Sequence, residues 1–235
     1  MTDERRGILV VDVGGRNVKC WCSGEAERRK APSGPAMTPE AMVAAVKGLA
    51  QGWRYDVVTV GVPGPVVGNR LAANPVNLGP GWVGFDIEGA FGVPTRVVND
   101  AAMQALGSYA GGRMLFLGLG TGLGNTLVVN GIVIAMELGH LPYKDGRTFE
   151  DHVGQRGLDR LGKKGWQKAV RDVVGRLRAA MVADYVVIGG GNVKLLDSLP
   201  EICRPGDNSL AYQGGLRLWD EPSTMTAAAT PAEAA

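Results

Sequence analysis

At 235 residues, with 45% hydrophobic and 20% charged side chains and a formal net charge of +2, the chain can bury the core of one or two domains. That balance gives no basis for a nucleic-acid or anionic-membrane partner, which would show as basic patches or runs. The apolar run after the charged Met1–Arg6 is too short for a signal peptide, and no stretch approaches the ~20 apolar residues of a membrane span, so a cytoplasmic protein is expected. The nearest thing to a basic run, Arg28-Arg29-Lys30, reads as a solvated strand edge or turn. Three cysteines, Cys20, Cys22 and Cys203, show no metal-ligand spacing, and with two histidines in the chain no zinc site is expected. Cys20 and Cys22 read as neighbours on one face of a strand.

In chain order, Ile8–Val13 is a short β-branched run ending at Gly14-Gly15, which predicts a buried strand and a sharp turn. Val18–Trp21 is the returning strand and Glu25–Ala31 a more polar third. Thr38-Pro39-Glu40 opens a helix, with Thr38 as N-cap and Met42, Val43, Val46 and Leu49 on one face. Val57–Val62 is another strand, followed by a loop-rich stretch from Gly68 to Phe85. Thr95–Val98 reads as a strand and Asp100–Tyr109 as a helix stopped by Gly111-Gly112. The plan then repeats: strand Met114–Leu119, glycine turn, strand Thr126–Val129, an Asn130-Gly131 hairpin signal and strand Ile132–Ala135. Helices are predicted over Thr148–Leu161, Trp166–Met181 and near Val193–Leu199, with a strand at Tyr185–Ile188 before Gly189-Gly190-Gly191. From about Glu221 the Ala, Thr, Pro and Glu composition predicts a disordered tail, 221–235. The chain is therefore read as two α/β halves, 1–111 and 112–220, facing a central cleft.

Two glycine-rich turns stand out as phosphate loops, Asp12–Lys19 and Gly118–Gly124. In the first, Gly14 and Gly15 let backbone N–H groups point at an anion, Lys19 adds charge, and Asp12 could hold magnesium through water. A tight hairpin explains the same residues. The second, with Gly120, Thr121 and Gly122, has more glycines than a hairpin needs. It lacks the Gly-Lys-Ser/Thr of a P-loop and the following helix of a dinucleotide fold. Asp100 is either a helix N-cap or a base that accepts the proton of an attacking sugar hydroxyl, or both. Glu137 and His140 suit a wall that hydrogen-bonds vicinal hydroxyls, although a histidine such as His140 is more often structural than a ligand contact. Glu150 either joins that wall or only favours a helix dipole. Asn74 and Asn77, with Trp82, lie in a loop and suit sugar binding or ordinary loop structure.

In order, DVGGRNVK, GVPGPV, NPVNLGPGW, VVNDAA, LGLGTGLGNTLVVNG, ELGHL and VIGGGN resemble the ROK family of sugar kinases and regulators, over about Ile8 to Trp219. The part around Phe149–Val153, Lys164–Trp166 and Asp184–Gly191 is most similar to the polyphosphate-glucokinase type. The resemblance implies two similar ribonuclease-H-like (actin-like ATPase) domains, a hexose acceptor phosphorylated on its 6-hydroxyl, and ATP or polyphosphate as donor with magnesium. It implies Asp100 as base and Asn74, Asn99, Glu137, His140 and Glu150 as sugar contacts. Asp12, Gly14, Gly15 and Gly120–Gly122 match the two phosphate loops, Gly189–Gly191 the donor segment, and a homodimer is the family pattern. Leu141–Glu150 lacks the cysteines of the family's zinc motif, so zinc is not implied. Arg16 stands where the family has Thr or Ser, and its charge either strengthens donor contact or blocks the usual pose. A DNA-binding regulator is disfavoured because only Met1–Gly7 precedes the first strand. A catalytically silent sugar- or nucleotide-binding protein is the alternative.

Overall fold

The computed structural model describes residues 6–207 and 209–220; the tail expected to be disordered lies outside the described residues. The first part comprises β1 (Ile8–Val13), β2 (Asn17–Cys22), β3 (Arg29–Pro32), α1 (Pro39–Leu49), β4 (Val57–Val62), the short hairpin β5 (Val66–Val67) and β6 (Arg70–Leu71), α2 (Ile87–Phe91), β7 (Thr95–Asn99) and α3 (Asp100–Ser108). The second comprises β8 (Arg113–Leu119), β9 (Leu123–Val129), β10 (Ile132–Ala135), α4 (Phe149–Val153), α5 (Gln155–Met181), β11 (Tyr185–Gly189), β12 (Cys203–Pro205) and α6 (Leu210–Arg217).

The two five-stranded sheets repeat one topology, β3-β2-β1-β4-β7 and β10-β9-β8-β11-β12. In each, an antiparallel meander supplies three strands, and the first of these also pairs in parallel with a later strand. β4 is buried at all six positions, as expected of a parallel strand covered on both faces. One side of the first sheet packs Leu9, Val11, Cys20, Cys22 and Val60 against Met42 and Val46 of α1, with Trp82 and Phe91. One side of the second packs Leu115, Leu117, Val186 and Ile188 on Trp166, Val170, Val173 and Leu177 of α5. The apolar stripe read for α1 is the face it buries, and Thr38 caps it through Ala41 N–H at 3.3 Å.

Several elements depart from expectation. The third strand starts at Arg29, because the chain turns after Cys22, where Glu25 N–H reaches the Cys22 carbonyl at 3.1 Å. The helix expected over Thr148–Leu161 is broken at Gly154 into α4 and the first part of α5, while the non-helical backbone of Gly162, at φ 65° and ψ 168°, divides α5 between the two helices expected on either side of it. The helix expected near Val193–Leu199 is a single 3-10 turn, Val193–Leu195. Asp197 beyond it is tied instead to α5, by Lys163 at 2.6 Å and Gln167 at 3.0 Å.

The unanticipated α6 follows the second sheet's last strand but packs on the first sheet. Its Gly215 carbonyl accepts from Thr59 Oγ1 at 2.8 Å, and Thr59 Oγ1 accepts from Trp219 Nε1 at 2.9 Å. Against α3 it crosses at backbone contact: a β-carbon on Gly214 would stand 1.8 Å from the Met103 carbonyl oxygen, and one on Gly107 1.9 Å from that of Leu210. Arg217 then donates to the Leu106 and Tyr109 carbonyls, both at 2.8 Å, satisfying acceptors that the end of α3 leaves open. Residues of α3 reach both sheets, with Met103 beside Val10 and Ala105 and Leu106 beside Met114 and Phe116.

Candidate active site

Asp12 lies at the C-terminal end of β1, and its Oδ2 pairs with Lys19 Nζ on β2 at 3.2 Å. Beyond it the turn closes through Gly14 N–H to the Asn17 carbonyl at 3.0 Å, leaving Gly15 and exposed Arg16 at its tip. The loop predicted to bind sugar reaches this tip, since a β-carbon on Gly15 would stand 3.0 Å from that of Asn77.

Asp100 begins α3, but it does not cap it. Asn99 is the N-cap, with Oδ1 accepting from Ala101 N–H at 2.9 Å and Ala102 N–H at 3.3 Å. Its Nδ2 donates to the Gly64 carbonyl at 3.0 Å, tying α3 to the Pro63-Gly64-Pro65 loop. Capping thus falls to Asn99, and the N-cap reading of Asp100 is replaced. Burial pushes the Asp100 carboxyl up to about 6; the Ala101 N–H on Oδ1 at 2.8 Å opposes this, and the negative charge of Asp12 adds to it. The next residue touches the second glycine loop: a β-carbon on Gly124 would lie 3.4 Å from that of Ala101. Asp100 is therefore placed between the two glycine loops.

On the second loop, Gly120 N–H bonds the Gly122 carbonyl at 3.2 Å, and the exposed Thr121 offers its carbonyl to Gln155 N–H at 3.1 Å. Glu150, in the first turn of α4, lies over the loop. Its Oε2 accepts from Leu123 N–H at 3.2 Å and would stand 2.2 Å from a β-carbon on Gly122, so any larger residue there would displace the Glu150 carboxylate. Glu137 and His140 flank a 3-10 turn and face each other at 3.6 Å, both largely exposed. Between them Gly139 is buried, where a β-carbon would stand 3.1 Å from the Leu123 carbonyl oxygen and 3.6 Å from the Glu150 Cβ. Glu137, His140, Glu150 and Gly122 thus share one wall.

Other predicted residues are turned to structural use. Asn74 Oδ1 accepts from Trp82 N–H at 2.9 Å and Val83 N–H at 3.3 Å, fixing its own loop. Trp82 is a core residue, fully buried with Nε1 on the Met37 carbonyl at 3.2 Å, and not an exposed sugar platform. Gly189 packs on Phe116 and left-handed Gly190 on Leu119, whereas Gly191 faces open space. That segment buttresses the second glycine loop and presents one glycine outward.

Three further side chains organise this wall. Buried Asn125 joins β9 to the Glu137–His140 turn by accepting from Leu138 N–H and donating to the Leu123 carbonyl, each at 3.0 Å. Asn192 Nδ2 spans the Gly120 carbonyl and Gln155 Oε1, both at 3.2 Å. Arg156 holds Glu150 at 3.2 Å and Asp151 at 3.6 Å. The first two directly follow the predicted glycine clusters, which is the signal that could have found them; Arg156 carries no such signal. A cavity of about 700 Å³ opens elsewhere, on the Ala102 and Leu106 face of α3, and includes only Asn99 of the predicted residues.

Among solved structures, the fold is similar to the inorganic polyphosphate/ATP-glucomannokinase of Arthrobacter sp. strain KM, with a TM-score of 0.73 and 22% identity over 89% of this chain and 96% of that one. It is also similar to a ROK family glucokinase from Streptomyces griseus in complex with glucose and AMPPNP, with a TM-score of 0.69 and 16% identity over 90% of this chain and 98% of that one. Among curated proteins, the N-acetylmannosamine kinase of Salmonella typhimurium is 30% identical over 174 residues, 66% of this chain and 58% of that protein. The chain thus spans less than two thirds of the length of the curated relatives it matches. The ROK family model matches residues 8–157, through both glycine loops, Asp100 and the Glu137–Glu150 wall, and the chain belongs to the ROK family.

Proposed function

We propose that the protein is a hexose kinase of glucokinase type, moving a phosphoryl group from ATP or polyphosphate to the 6-hydroxyl of glucose or a related sugar. The observation that carries this reading is Asp100, partly buried between two glycine loops, with its carboxyl raised to about 6. A base in that range is ionised at neutral pH yet more basic than an ordinary carboxylate, which suits it to accept the sugar hydroxyl proton. Glu137, His140 and Glu150 would receive the sugar hydroxyls, and Asn74 and Asn99 would hold the loops beneath them. Gly14, Gly15, Arg16, Lys19, Gly120, Thr121, Gly122 and Gly189–Gly191 would receive the donor. The two sheets and their helices would act as lobes, 1–111 and 112–220, closing on the sugar to exclude water.

Magnesium fits this donor set. Asp12 has one carboxylate oxygen on Lys19 and the other outside that pair, and among the described residues no three acidic, histidine or cysteine side chains form a cage. An ion held by one carboxylate, water and donor phosphates is the usual magnesium arrangement, and it would neutralise phosphate charge. Lys19 keeps the Asp12 carboxylate oriented, and the glycine amides position the phosphate oxygens.

A coupled assay over a hexose panel that includes N-acetylmannosamine, run with ATP and with polyphosphate, tests the reading. Asp100→Ala should lower kcat by about a thousandfold with sugar affinity within about threefold, since a general base contributes 10²–10⁴. Near-normal turnover in Asp100→Ala removes the assignment. Sugar binding with no turnover for any donor makes the protein a silent binder.

A further inference from the structure

The Arg28-Arg29-Lys30 run is divided between the two sides of the first sheet. Arg29, opposite Cys20, turns toward α1, stacks on Trp53 at 4.1 Å and donates to the Leu49 and Gln51 carbonyls at 2.6 and 3.0 Å. Lys30 is opposite Lys19 and so shares its side, which is also the side of Asp12. Arg28 lies on that side too, its guanidinium 4.5 Å from the ring centroid of Tyr212, which meets Trp21 edge-on at 5.9 Å.

Like charges directly opposite each other destabilise a sheet, so the Lys19–Lys30 pair calls for an anion. Asp12 supplies one to Lys19, at 3.2 Å. Among the described residues, exposed Lys30 and Arg28 have no carboxylate within 4.0 Å; Asp207 only feels the charge of Arg28 from farther away. The three cations lead from the first glycine loop, with Arg16 at its tip, toward the connection before α6. That connection also borders the donor segment, since a β-carbon on Gly206 would stand 3.1 Å from the Gly189 Cα.

We propose that Lys19, Lys30 and Arg28 form a subsite for the tail of a linear phosphate chain of more than three units, whose terminal phosphate lies at the first glycine loop. Strands about 4.8 Å apart carry these charges in a narrow strip, which matches a flexible chain bearing charge on every unit. A nucleic acid is less well matched, because the rings on the strip are packed edge to face and Tyr212 is only 5% exposed, leaving no platform for bases. The inference rests on the phosphotransferase reading of the first glycine loop and extends it to the donor.

Calorimetry on the full chain with tripolyphosphate and with long-chain polyphosphate tests it. The wild type should bind the long chain at least tenfold more tightly at ~50 mM salt, a preference that fades as salt screens the strip. Arg28→Gln with Lys30→Gln should reduce that preference to about twofold, whereas Arg28→Lys with Lys30→Arg should keep most of it, because charge is conserved. Equal affinity for both chains in the wild type, or an unchanged preference in the doubly neutralised protein, overturns the proposal. So does a single-stranded oligonucleotide that binds as tightly and loses affinity with the same substitutions. Chain-length preference without sugar phosphorylation by any donor upholds the subsite and defeats the kinase reading. ATP-driven phosphorylation without chain-length preference does the reverse.

Discussion

Asp100 sits where burial and the negative charge of Asp12 both oppose its ionisation. Because its carboxyl is raised from 3.8 to about 6, the native state binds more protons than the unfolded chain across that interval. Stability therefore falls as pH rises from about 4 to about 6, by at most ~3 kcal/mol. Asp100→Asn should raise the thermal midpoint at pH 8 by roughly 5 °C and leave it nearly unchanged at pH 4. In the wild type, kcat/KM should drop tenfold per pH unit below about 6, as the base takes up its proton. A flat profile between pH 5 and 7 would remove the base from the free enzyme. The sequence identified Asp100 as a candidate, but its two readings could not be separated until Asn99 was seen to take the cap.

The contact of α3 with α6 is where an element decides the architecture. Met103, beside Gly107 on α3, presents its carbonyl to Gly214, and no flexible side chain lies between to give way. Gly214→Ala should therefore cost about 3 kcal/mol or more, read as a lower urea midpoint at unchanged slope. Gly175, on the exposed side of α5 with open space around it, is the control: Gly175→Ala should gain up to about 1 kcal/mol. Equal effects at the two positions would mean that the crossing is loose. α6 was not legible in the sequence because its buried residues include Gly214 and Gly215, which weaken an apolar helical signature. The 3-10 turn at Val193–Leu195 failed for a related reason, since Asp197 is claimed by α5, a partner distant in sequence.

At the scale of the molecule, α3 lies between two sheets of the same topology, with α6 packed on it and on the first sheet, and Asp100 stands near Asp12 of the first glycine loop while its neighbour Ala101 faces Gly124 of the second. On the kinase reading, sugar bound to the Glu137–Glu150 wall draws that wall toward the first glycine loop. Small-angle scattering should then show a decrease in radius of gyration of about 1 Å at saturating sugar, with the donor alone producing less. An unchanged radius at saturation would show that the site is preformed.

By itself the sequence determined the strand–glycine-turn repeat, the position of both glycine loops and the family, because β-branched runs and glycine clusters are local signals that survive without tertiary context. Only the tertiary structure decided which residues do what around them. It buried Trp82, spent Asn74 on its own loop and Asn99 on the cap of α3 and the Gly64 loop, set Glu150 against Gly122, and turned Arg28 and Lys30 to the side of Asp12 while Arg29 went to the other. Most of those outcomes depend on a partner far along the chain, as Trp82 on Met37, Asn99 on Gly64 and Glu150 on the second glycine loop, and pairing across a fold is not written in the spacing of neighbours.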